Sequence, residues 1–552
     1  MLTLLLLVPL LGSLIILPMS NSLESKNQMK KIALTTSLIN FFISLFLWYE
    51  FDSSCATQFQ FVSEFNQISF CHLNFGVDGI SLYFVLLTTF VTPIAILSNY
   101  TNIQSAAPSP RLSSNFNYKF KNKKHGQSPI CIAEGLPKAM DGISASQRPD
   151  SSAASPLPAC LPLRQGRAVS YSGDKLFLIS FLVLETLQIC AFVSLDLLLF
   201  YIFFESVLPI LFIVIVIFGH GKDRFRSAFL FFLYTLAGSL PMLLSILVIY
   251  SYIGNTDFQL ISLYDISLES QKFLWLGFFV AFAVKTPLYP FIIWLPKAHS
   301  DSPLAGSILL AATILKLATY GYLRVLINLL PDATNYFSPL VQTFAIISLI
   351  YASFSTIIQQ DTKRLIAYSS VAHMAVVVLG LFSNNLVGIE GAILLAIAHG
   401  FVSPALFICV GGIIYERTGT RIINYIRGLV TYMPVFSILF FIFTLANTGI
   451  PLTLNFLGEQ LSLIGIWQIN PIIASMGATG IVLSACYSIF LYNRISYGNY
   501  SPYLPPLKDI NRREFYLLIS LLIPTVIFGI FPNIILESLH TSVSALLFQL
   551  PN

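Results

Sequence analysis

The chain has 552 residues, of which 56% are hydrophobic and 10% charged, and its formal net charge is +5. Because soluble domains carry about 25% charged residues, this composition excludes an ordinary soluble enzyme or a nucleic-acid-binding protein. Continuous apolar runs of about 20 residues recur along the chain, which is the length of a helix that crosses a bilayer. The runs do not alternate with a period of two, as barrel strands would. We therefore expect an all-α polytopic membrane protein.

The N-terminal segment 1–20 is apolar from its second residue, lacks a basic leading region and is not followed by Ala-x-Ala. These features predict a first membrane span rather than a cleaved signal peptide. No Arg- and Ser-rich transit segment is present either, so an organellar protein with this sequence would be made inside the organelle. The seven cysteines include no C-x-x-C pair, and no phosphate-binding or dinucleotide motif occurs. We expect no cofactor and no metal on this chain.

About fourteen candidate spans follow one another along the sequence. They lie at about 2–20, 31–50, 78–98, 175–194, 196–218, 227–253, 272–295, 303–329, 339–358, 364–382, 388–414, 429–466, 472–493 and 514–533. The twelfth stretch is too long for one straight helix and contains Asn447, Thr448, Gly449, Ile450 and Pro451 in succession. Loops after odd-numbered spans are rich in Lys and Arg, whereas the even-numbered loops 51–77 and 255–271 have none. By the positive-inside rule, both termini face the outside.

One connection breaks this pattern. Residues 101–173 are rich in Ser, Ala and Pro, and they carry nine basic against three acidic residues, a net charge of +6. The segment is interpreted as a disordered insertion, with an electrostatic patch for anionic lipid or a partner as the alternative. The predicted organisation has five parts. They are helices 1–3 (1–100), the basic insertion (101–173), a first five-helix repeat (174–329), a second, inverted repeat (337–493), and a last helix with its tail (494–552).

Six of the ionisable residues inside predicted spans are the candidates for chemistry: Glu205, Lys285, Lys316, His373, His399 and Glu459. A charge at the bilayer centre costs at least about 2.5–3.5 kcal/mol, so it faces the bundle interior and usually has a task. Desolvated lysines, histidines and buried acids are suited to proton transfer near neutral pH. The structural alternatives are a static Glu205–Lys285 ion pair, a snorkelling Lys316 and packing roles for the other three. Glu185 in span 4 has no assigned role.

A cluster of His299, Lys297 and Asp301 between spans 7 and 8 fits a solvated helix cap and a proton entry site equally well. Spans 7 and 12 are interrupted, by Pro287 with Pro290 and by Gly449 with Pro451, close to Lys285 and Glu459. Broken helices at corresponding positions of two halves indicate a transport site. Spans 7 and 12 are each the fourth helix of a five-helix unit. Because each unit has an odd number of helices, the two copies are expected to have inverted orientations in the membrane.

Several long motifs resemble a known family. Residues 284–307 (VKTPLYPFIIWLPKAHSDSPLAGS), 361–373 (DTKRLIAYSSVAH) and 398–400 (AHG) are similar to the proton-conducting subunits of respiratory complex I and to related Na⁺/H⁺ antiporter subunits. With 195–206 (LDLLLFYIFFES) and 455–459 (NFLGE), they are most similar to the mitochondrial chain 4 branch. The resemblance covers about 1–100 and 174–540, and 101–173 departs from it.

The resemblance implies a membrane-arm subunit that translocates protons as part of NADH:ubiquinone reductase. It implies that Glu205 and Lys285 form a modulating pair, that Lys316, His373 and His399 form a central relay, and that Glu459 is the terminal acid. NADH, FMN, iron–sulfur clusters and ubiquinone would be bound by other subunits. The implied partners are neighbouring antiporter-like subunits and lipids, in the mitochondrial inner membrane, with both termini on the intermembrane-space side. A cation/proton antiporter subunit and a non-transporting scaffold are the competing hypotheses.

Overall fold

The computed structural model describes residues 1–20, 22–53, 59–64, 73–100, 173–221, 223–504 and 506–548. Most of these residues are helical, which confirms the predicted fold class. The predicted insertion 101–173 lies outside the described residues, except for Gly173, which begins a helix. The domain boundaries drawn from the sequence therefore stay predictions.

The chain begins with six long helices, and a short β-hairpin lies between the second and the third. They are α1 (Leu2–Ile16), α2 (Leu23–Tyr49), α3 (Gly79–Ser98), α4 (Gly173–Val193), α5 (Leu197–Phe218) and α6 (Arg224–Ile253). The hairpin pairs β1 (Gln60–Glu64) with β2 (Asn74–Val77) in antiparallel register, with Ser63 opposite Phe75. It lies in a connection between predicted spans, so it adds to the helical bundle without replacing a span.

The central helices include several interruptions. They are α7 (Phe258–Ser262), α8 (Leu268–Lys285), α9 (Trp294–Asp301), α10 (Leu304–Leu309), α11 (Leu315–Gly321), α12 (Pro331–Ile358), α13 (Thr362–Leu381), α14 (Leu386–Phe407) and α15 (Tyr415–Thr418). Wider π-helical segments, Leu310–Ile314, Tyr322–Ile327 and Ile408–Ile414, follow α10, α11 and α14 without a break in the helical path. No pattern in the sequence predicted these π segments.

The C-terminal part contains five further helices: α16 (Pro434–Asn447), α17 (Leu454–Ile469), α18 (Pro471–Ser496), α19 (Arg512–Ile530) and α20 (Asn533–Phe548). Single-turn 3₁₀ segments lie at Phe291–Ile293, Ile423–Tyr425 and Leu429–Thr431. Helix α20 packs against α3 and α14 and was not predicted as a separate element.

Local sequence explains where several of these helices begin. The side chains of Asp196, Asp361 and Asn385 accept hydrogen bonds from the first free N–H groups of α5, α13 and α14. Such caps satisfy backbone donors that have no partner inside the helix. Helices α12, α16 and α18 begin with proline, whose fixed φ and missing N–H suit the first helical position, and α18 also has a side-chain cap from Asn470.

Helices occupy all fourteen predicted positions, and eleven helical stretches in the described ranges are long and apolar enough to cross a membrane. The remaining positions are the 15-residue α1 and the two interrupted elements. Helix α8 carries Glu269, Lys272 and Lys285 within its 18 residues, and α16 and α17 have only 14 and 16 residues. The number of spans and the inverted relation of the two halves stay predictions.

Both predicted interruptions are confirmed. Helix α8 ends at Lys285, and the chain resumes helical structure only at Phe291. Helix α16 ends at Asn447 and α17 begins at Leu454, with Gly449 between them at φ +71°. Each break therefore lies within a few residues of an intramembrane charge, Lys285 or Glu459.

Two spans form the centre of the bundle. The most apolar stretches of Leu304–Ile327 and Leu386–Thr418 are completely buried, whereas only 28% of the corresponding stretch of α2 or α19 is buried. The two central spans also contain all three π segments, and they carry Lys316 and His399. Because π segments are rare and occur often at functional sites, the centre of the bundle is where a site is expected.

Candidate functional site

Lys316 and His399 meet at the centre of the bundle. Lys316 is completely buried and His399 is 1% exposed. The Lys316 Nζ atom donates to the backbone carbonyl of Ala311 at 2.6 Å and lies 2.7 Å from His399 Nδ1. Ala311 belongs to the first π segment, so the widened helix directs a carbonyl oxygen at the lysine. The burial excludes a lysine that reaches the bilayer surface.

His373 and Glu459 form a second direct contact beside the first. His373 Nδ1 lies 3.0 Å from Glu459 Oε1, and both side chains are almost completely buried. The imidazole rings of His373 and His399 have their centroids 5.9 Å apart. The Nε2 atoms of both rings have no hydrogen-bond partner in the described part of the chain. Four of the six predicted residues therefore form one group, arranged Lys316, His399, His373, Glu459.

The broken helix between α16 and α17 shapes the end of this group. A Cβ atom at Gly449 would lie 2.6 Å from Glu459 Oε2, so the backbone of the break passes directly beside the carboxylate. Gly449 also has a positive φ, which glycine adopts without steric cost. Asn455, one turn before Glu459, is 1% exposed, and its amide has no hydrogen-bond partner in the described chain. The break thus places backbone directly beside the acid, with a buried amide one helical turn away.

Glu205 and Lys285 are neighbours but do not form the direct ion pair that was one alternative. The Lys285 Nζ atom donates to the Phe204 carbonyl at 2.9 Å and lies 3.3 Å from the centroid of the Phe204 ring. Among the described residues, no salt bridge within 4.0 Å joins Lys285 to a carboxylate. Glu205 is half-buried, and its Oε1 atom has no hydrogen-bond partner in the described chain. A cation–π contact and a carbonyl therefore hold the lysine charge.

Two residues of the cluster between predicted spans 7 and 8, His299 and Asp301, are buried. The alternative of a solvated helix cap therefore does not hold for them. His299 is completely buried and stacks on Phe407 with ring centroids 4.7 Å apart. Neither of its ring nitrogens has a partner in the described chain. Asp301 accepts a hydrogen bond from Ser227 at 2.5 Å.

Basic residues surround this cluster at the end of the bundle that carries the Lys- and Arg-rich loops. The Lys363 Nζ atom donates to the Ser302 carbonyl at 2.8 Å. Burial, together with the nearby charges of Lys363, Arg421 and Arg224, lowers the pKa of the loop residue His220 to about 4. His220 is therefore neutral at physiological pH and adds no positive charge to this end of the bundle.

Sequence reasoning missed several residues with suitable chemistry. The Oε1 atom of Glu390, the fifth residue of α14, lies 2.9 Å from His540 Nδ1 on α20. Thr286 Oγ1 and the Tyr322 hydroxyl are 3.0 Å apart between the α8 break and the second π segment. Glu185, which the sequence placed in span 4 without a role, is completely buried and accepts a hydrogen bond from Asn40. Glu390 could have been found as an acid inside a span, whereas the Thr286–Tyr322 contact and the Asn40 partner of Glu185 depend on packing.

With this geometry established, comparisons with known proteins are informative. The sequence profile of the family described as NADH:quinone oxidoreductase/Mrp antiporter, TM, matches residues 194–484, more than half of the chain. A relative from Mycosarcoma maydis, NADH-ubiquinone oxidoreductase chain 4, is 55% identical over 550 residues and covers 100% of both chains. The chain belongs to the NADH-ubiquinone oxidoreductase chain 4 family. A chain 4 protein from Marchantia polymorpha is 42% identical over 545 residues, which covers 98% of this chain and 96% of its own.

A solved structure supports the fold of this chain 4 family member. A chain of respiratory complex I from Thermus thermophilus with bound NADH superposes with a TM-score of 0.80, at 24% identity, over 100% of both chains. At that level of identity the likeness concerns the fold alone. Family membership confirms the resemblance inferred from the motifs, and together with the apolar helices it identifies a multi-pass membrane protein.

Proposed function

We propose that this chain is the chain 4 subunit of respiratory complex I and that it translocates protons across the mitochondrial inner membrane. It contributes to an H⁺-translocating NADH:ubiquinone reductase, in which NADH, FMN, iron–sulfur clusters and ubiquinone are bound by other subunits. Its partners are the neighbouring antiporter-like membrane subunits and the surrounding lipids. Both termini face the intermembrane space, because the Lys- and Arg-rich loops then face the matrix. Membership of the chain 4 family supports this assignment.

The observation that carries the proposal is the contiguous group Lys316, His399, His373 and Glu459 in a completely buried centre. Hydrogen-bond roles fix a consistent set of tautomers with Glu459 ionised. A lysine only donates when charged, so His399 Nδ1 accepts from Lys316, and a proton then lies on His399 Nε2. A carboxylate only accepts, so His373 Nδ1 donates to Glu459, and His373 Nε2 is the acceptor. The two Nε2 atoms are therefore a donor and an acceptor.

These roles define a direction of proton movement. Lys316 gives a proton to His399 Nδ1, and His399 releases its Nε2 proton toward His373 Nε2. His373 then passes its Nδ1 proton to Glu459. Each histidine gains one proton and loses one, Lys316 loses one and Glu459 gains one, and no electrons move within this chain. His299 is completely buried with both nitrogens unpartnered in the described chain, which suits an entry step between the basic end and Lys316.

Glu205 and Lys285 act before this group. The Lys285 ammonium is held by a neutral carbonyl and a ring rather than by Glu205. A movement that brings the Glu205 carboxylate to Lys285 would stabilise the charged lysine, and its withdrawal would favour proton release. The pair thus loads or unloads one proton according to its separation, as the modulating pair of the family would.

The test replaces Lys285 by Met in the assembled complex, reconstituted into liposomes. We expect quinone-linked NADH oxidation with intact assembly but a fall in protons moved per electron. Lys272→Met is the matched control, since Lys272 lies in the same helix near its solvent-exposed start, and it should pump normally. Normal proton pumping by an assembled Lys285→Met enzyme would refute the site assignment.

The alternative is a subunit of a cation/proton antiporter, because the matching family profile also includes antiporters. Such a protein shares the buried groups but needs no electron donor. Affinity purification of the chain from membranes distinguishes the two hypotheses. If the chain is a complex I subunit, it should co-purify with flavin and iron–sulfur subunits. Cation-driven proton exchange in a preparation free of those subunits would favour the antiporter.

A further inference from the structure

Glu185 is a buried acid that the proton path described above does not use. It lies in the middle of α4, is completely buried, and its Oε1 atom accepts a hydrogen bond from Asn40 Nδ2 on α2 at 2.7 Å. Its Oε2 atom has no hydrogen-bond partner, and no salt bridge reaches it from the described residues. An ionised carboxylate with a single neutral donor would cost several kcal/mol at this depth, on the order of the penalty for a buried unpaired charge. Glu185 therefore rests as the protonated acid.

A line of polar side chains leads from Glu185 to Lys316. Gln188 is one turn from Glu185 on the same face of α4, because residues three apart in a helix are neighbours. Thr313 Oγ1 donates to Gln188 Oε1 at 2.9 Å, which joins α4 to the first π segment. Lys316 lies three residues after Thr313 in the same span. We name the four residues Asn40, Glu185, Gln188 and Thr313 the α4 seam; all four are completely buried.

The seam also contains polar atoms suited to binding water. Asn40 Oδ1, Glu185 Oε2 and Gln188 Nε2 each have no hydrogen-bond partner among the described residues. Buried polar groups are nearly always paired, with ordered water where protein atoms do not serve. A protonated Glu185 and Gln188 Nε2 offer donors, and Asn40 Oδ1 offers an acceptor. One bound water would satisfy groups of both kinds.

We propose that Glu185 is a further proton-carrying residue of this subunit, which exchanges its proton with the Lys316–His399 pair along the α4 seam. In the forward step the proton leaves Glu185 Oε2, passes through seam water and binds to neutral Lys316 Nζ, which leaves a carboxylate and an ammonium. The reverse step restores both neutral groups, and no electrons are transferred. The inference rests on the proposed function, since it gives Lys316 a second proton donor.

The Glu185→Gln variant tests this in the assembled complex. Glutamine keeps the size of the side chain and an oxygen that accepts from Asn40, so a purely structural bridge would survive. We expect turnover coupled to proton pumping to fall about tenfold, which is less than the roughly hundredfold or larger contribution of an acid or base positioned at a reacting atom. Infrared difference spectra between oxidised and reduced enzyme should lose a protonated-carboxyl band. Ser44→Ala is the control, because it removes the 2.7 Å contact to Thr89 one turn from Asn40; it should leave pumping and the band unchanged.

A second variant guards against loss of assembly. Thr313→Val preserves shape but cuts the seam between Gln188 and Lys316, so we expect the same fall in coupled turnover while the Glu185 band is retained. Normal pumping in Glu185→Gln with the band unchanged would overturn the proposal, as would a Thr313→Val enzyme that pumps normally. Either result would leave the Lys285→Met test unaffected, so failure of this inference and failure of the proposed function remain distinguishable.

Discussion

The two broken helices carry charges of opposite sign and hold them in different ways. At the first break, Lys285 is the last residue of α8, and a backbone carbonyl and the Phe204 ring hold its ammonium. At the second break, Glu459 lies in α17 and is hydrogen-bonded to His373. A cation at a helix C-terminus is favoured by the helix dipole, whereas Glu459 depends on a charge-assisted bond to a side chain.

Lys285 can change the group that holds its charge, whereas Glu459 is already hydrogen-bonded within the buried group of ionisable residues. Lys285 has an acid nearby, Glu205, but no direct contact with it within 4.0 Å among the described residues. Glu459 is in contact with the group that leads through His373 and His399 to Lys316. Under the proposed function, the first region would control proton movement and the second would conduct the protons.

The largest effect is expected at the second break. Glu459→Gln removes the proton acceptor but keeps a similar shape, so proton pumping should fall by roughly a hundredfold or more, while the complex assembles. The measurement is proton uptake per electron in liposomes. Glu390→Gln makes the same change in another Glu–His pair, in which the histidine is 59% exposed. It should have little effect on proton pumping, because exposed ion pairs contribute little. Equal losses in both variants would contradict the special role of the second break.

The backbone of the second break is the next target. Gly449→Ala forces a side chain into a positive-φ position, which costs about 1–2 kcal/mol, and places its Cβ against Glu459 Oε2. We expect lower thermal stability of the complex together with lower pumping. Gly254→Ala has the same backbone penalty at φ +74° but meets nothing within 4 Å. It should reduce stability alone; a pumping defect of equal size there would show that backbone strain, and not the displaced carboxylate, is responsible.

Much of this architecture was predictable from the sequence because the membrane restricts the solutions. A helix must satisfy its own backbone in hydrocarbon, so apolar run length located helices at all fourteen positions. Pro287 and the Gly449–Pro451 segment revealed both breaks, because proline and glycine interrupt helices for local reasons. The burial of Lys316 and His399 followed from the cost of a charge in lipid.

The side-chain pairings were beyond reach for a physical reason. Lys316 and His399 are 83 residues apart, and their contact depends on how two spans pack and on the π segment that presents Ala311. The absence of a direct ion pair between Glu205 and Lys285 depends on side-chain rotamers, which no spacing rule fixes. The role of Glu185 needs Asn40 from α2, 145 residues away. Local sequence predicts elements, whereas these sites are made by contacts between distant elements.

A smaller effect is expected when the first region is altered through its acid. Glu205→Gln leaves Lys285 bound to the Phe204 carbonyl, so assembly should be normal and coupled turnover should fall by about tenfold, less than in Glu459→Gln. Steady-state NADH oxidation and proton uptake measure both. A larger loss in Glu205→Gln than in Glu459→Gln would mean that the first region conducts protons directly, and the distinction between control and conduction would be wrong.

The smallest effect is expected where the two regions approach each other. Thr286, next to Lys285, has a hydroxyl that donates to the Phe282 carbonyl and lies 3.0 Å from the hydroxyl of Tyr322, which is in the span that carries Lys316. Thr286→Val removes this hydroxyl. Loss of one buried hydrogen bond costs about 1 kcal/mol, so thermal stability should fall slightly. Coupled turnover should change by no more than about twofold, because a tenfold change in rate would require about 1.4 kcal/mol in the activation free energy. Thr356→Val, which removes only a bond to the Ala352 carbonyl, is the control. A loss of pumping in Thr286→Val as large as in Glu205→Gln, with Thr356→Val unaffected, would mean that the Thr286–Tyr322 contact conducts protons. The two regions would then form one continuous proton path, and the first would not only control the second.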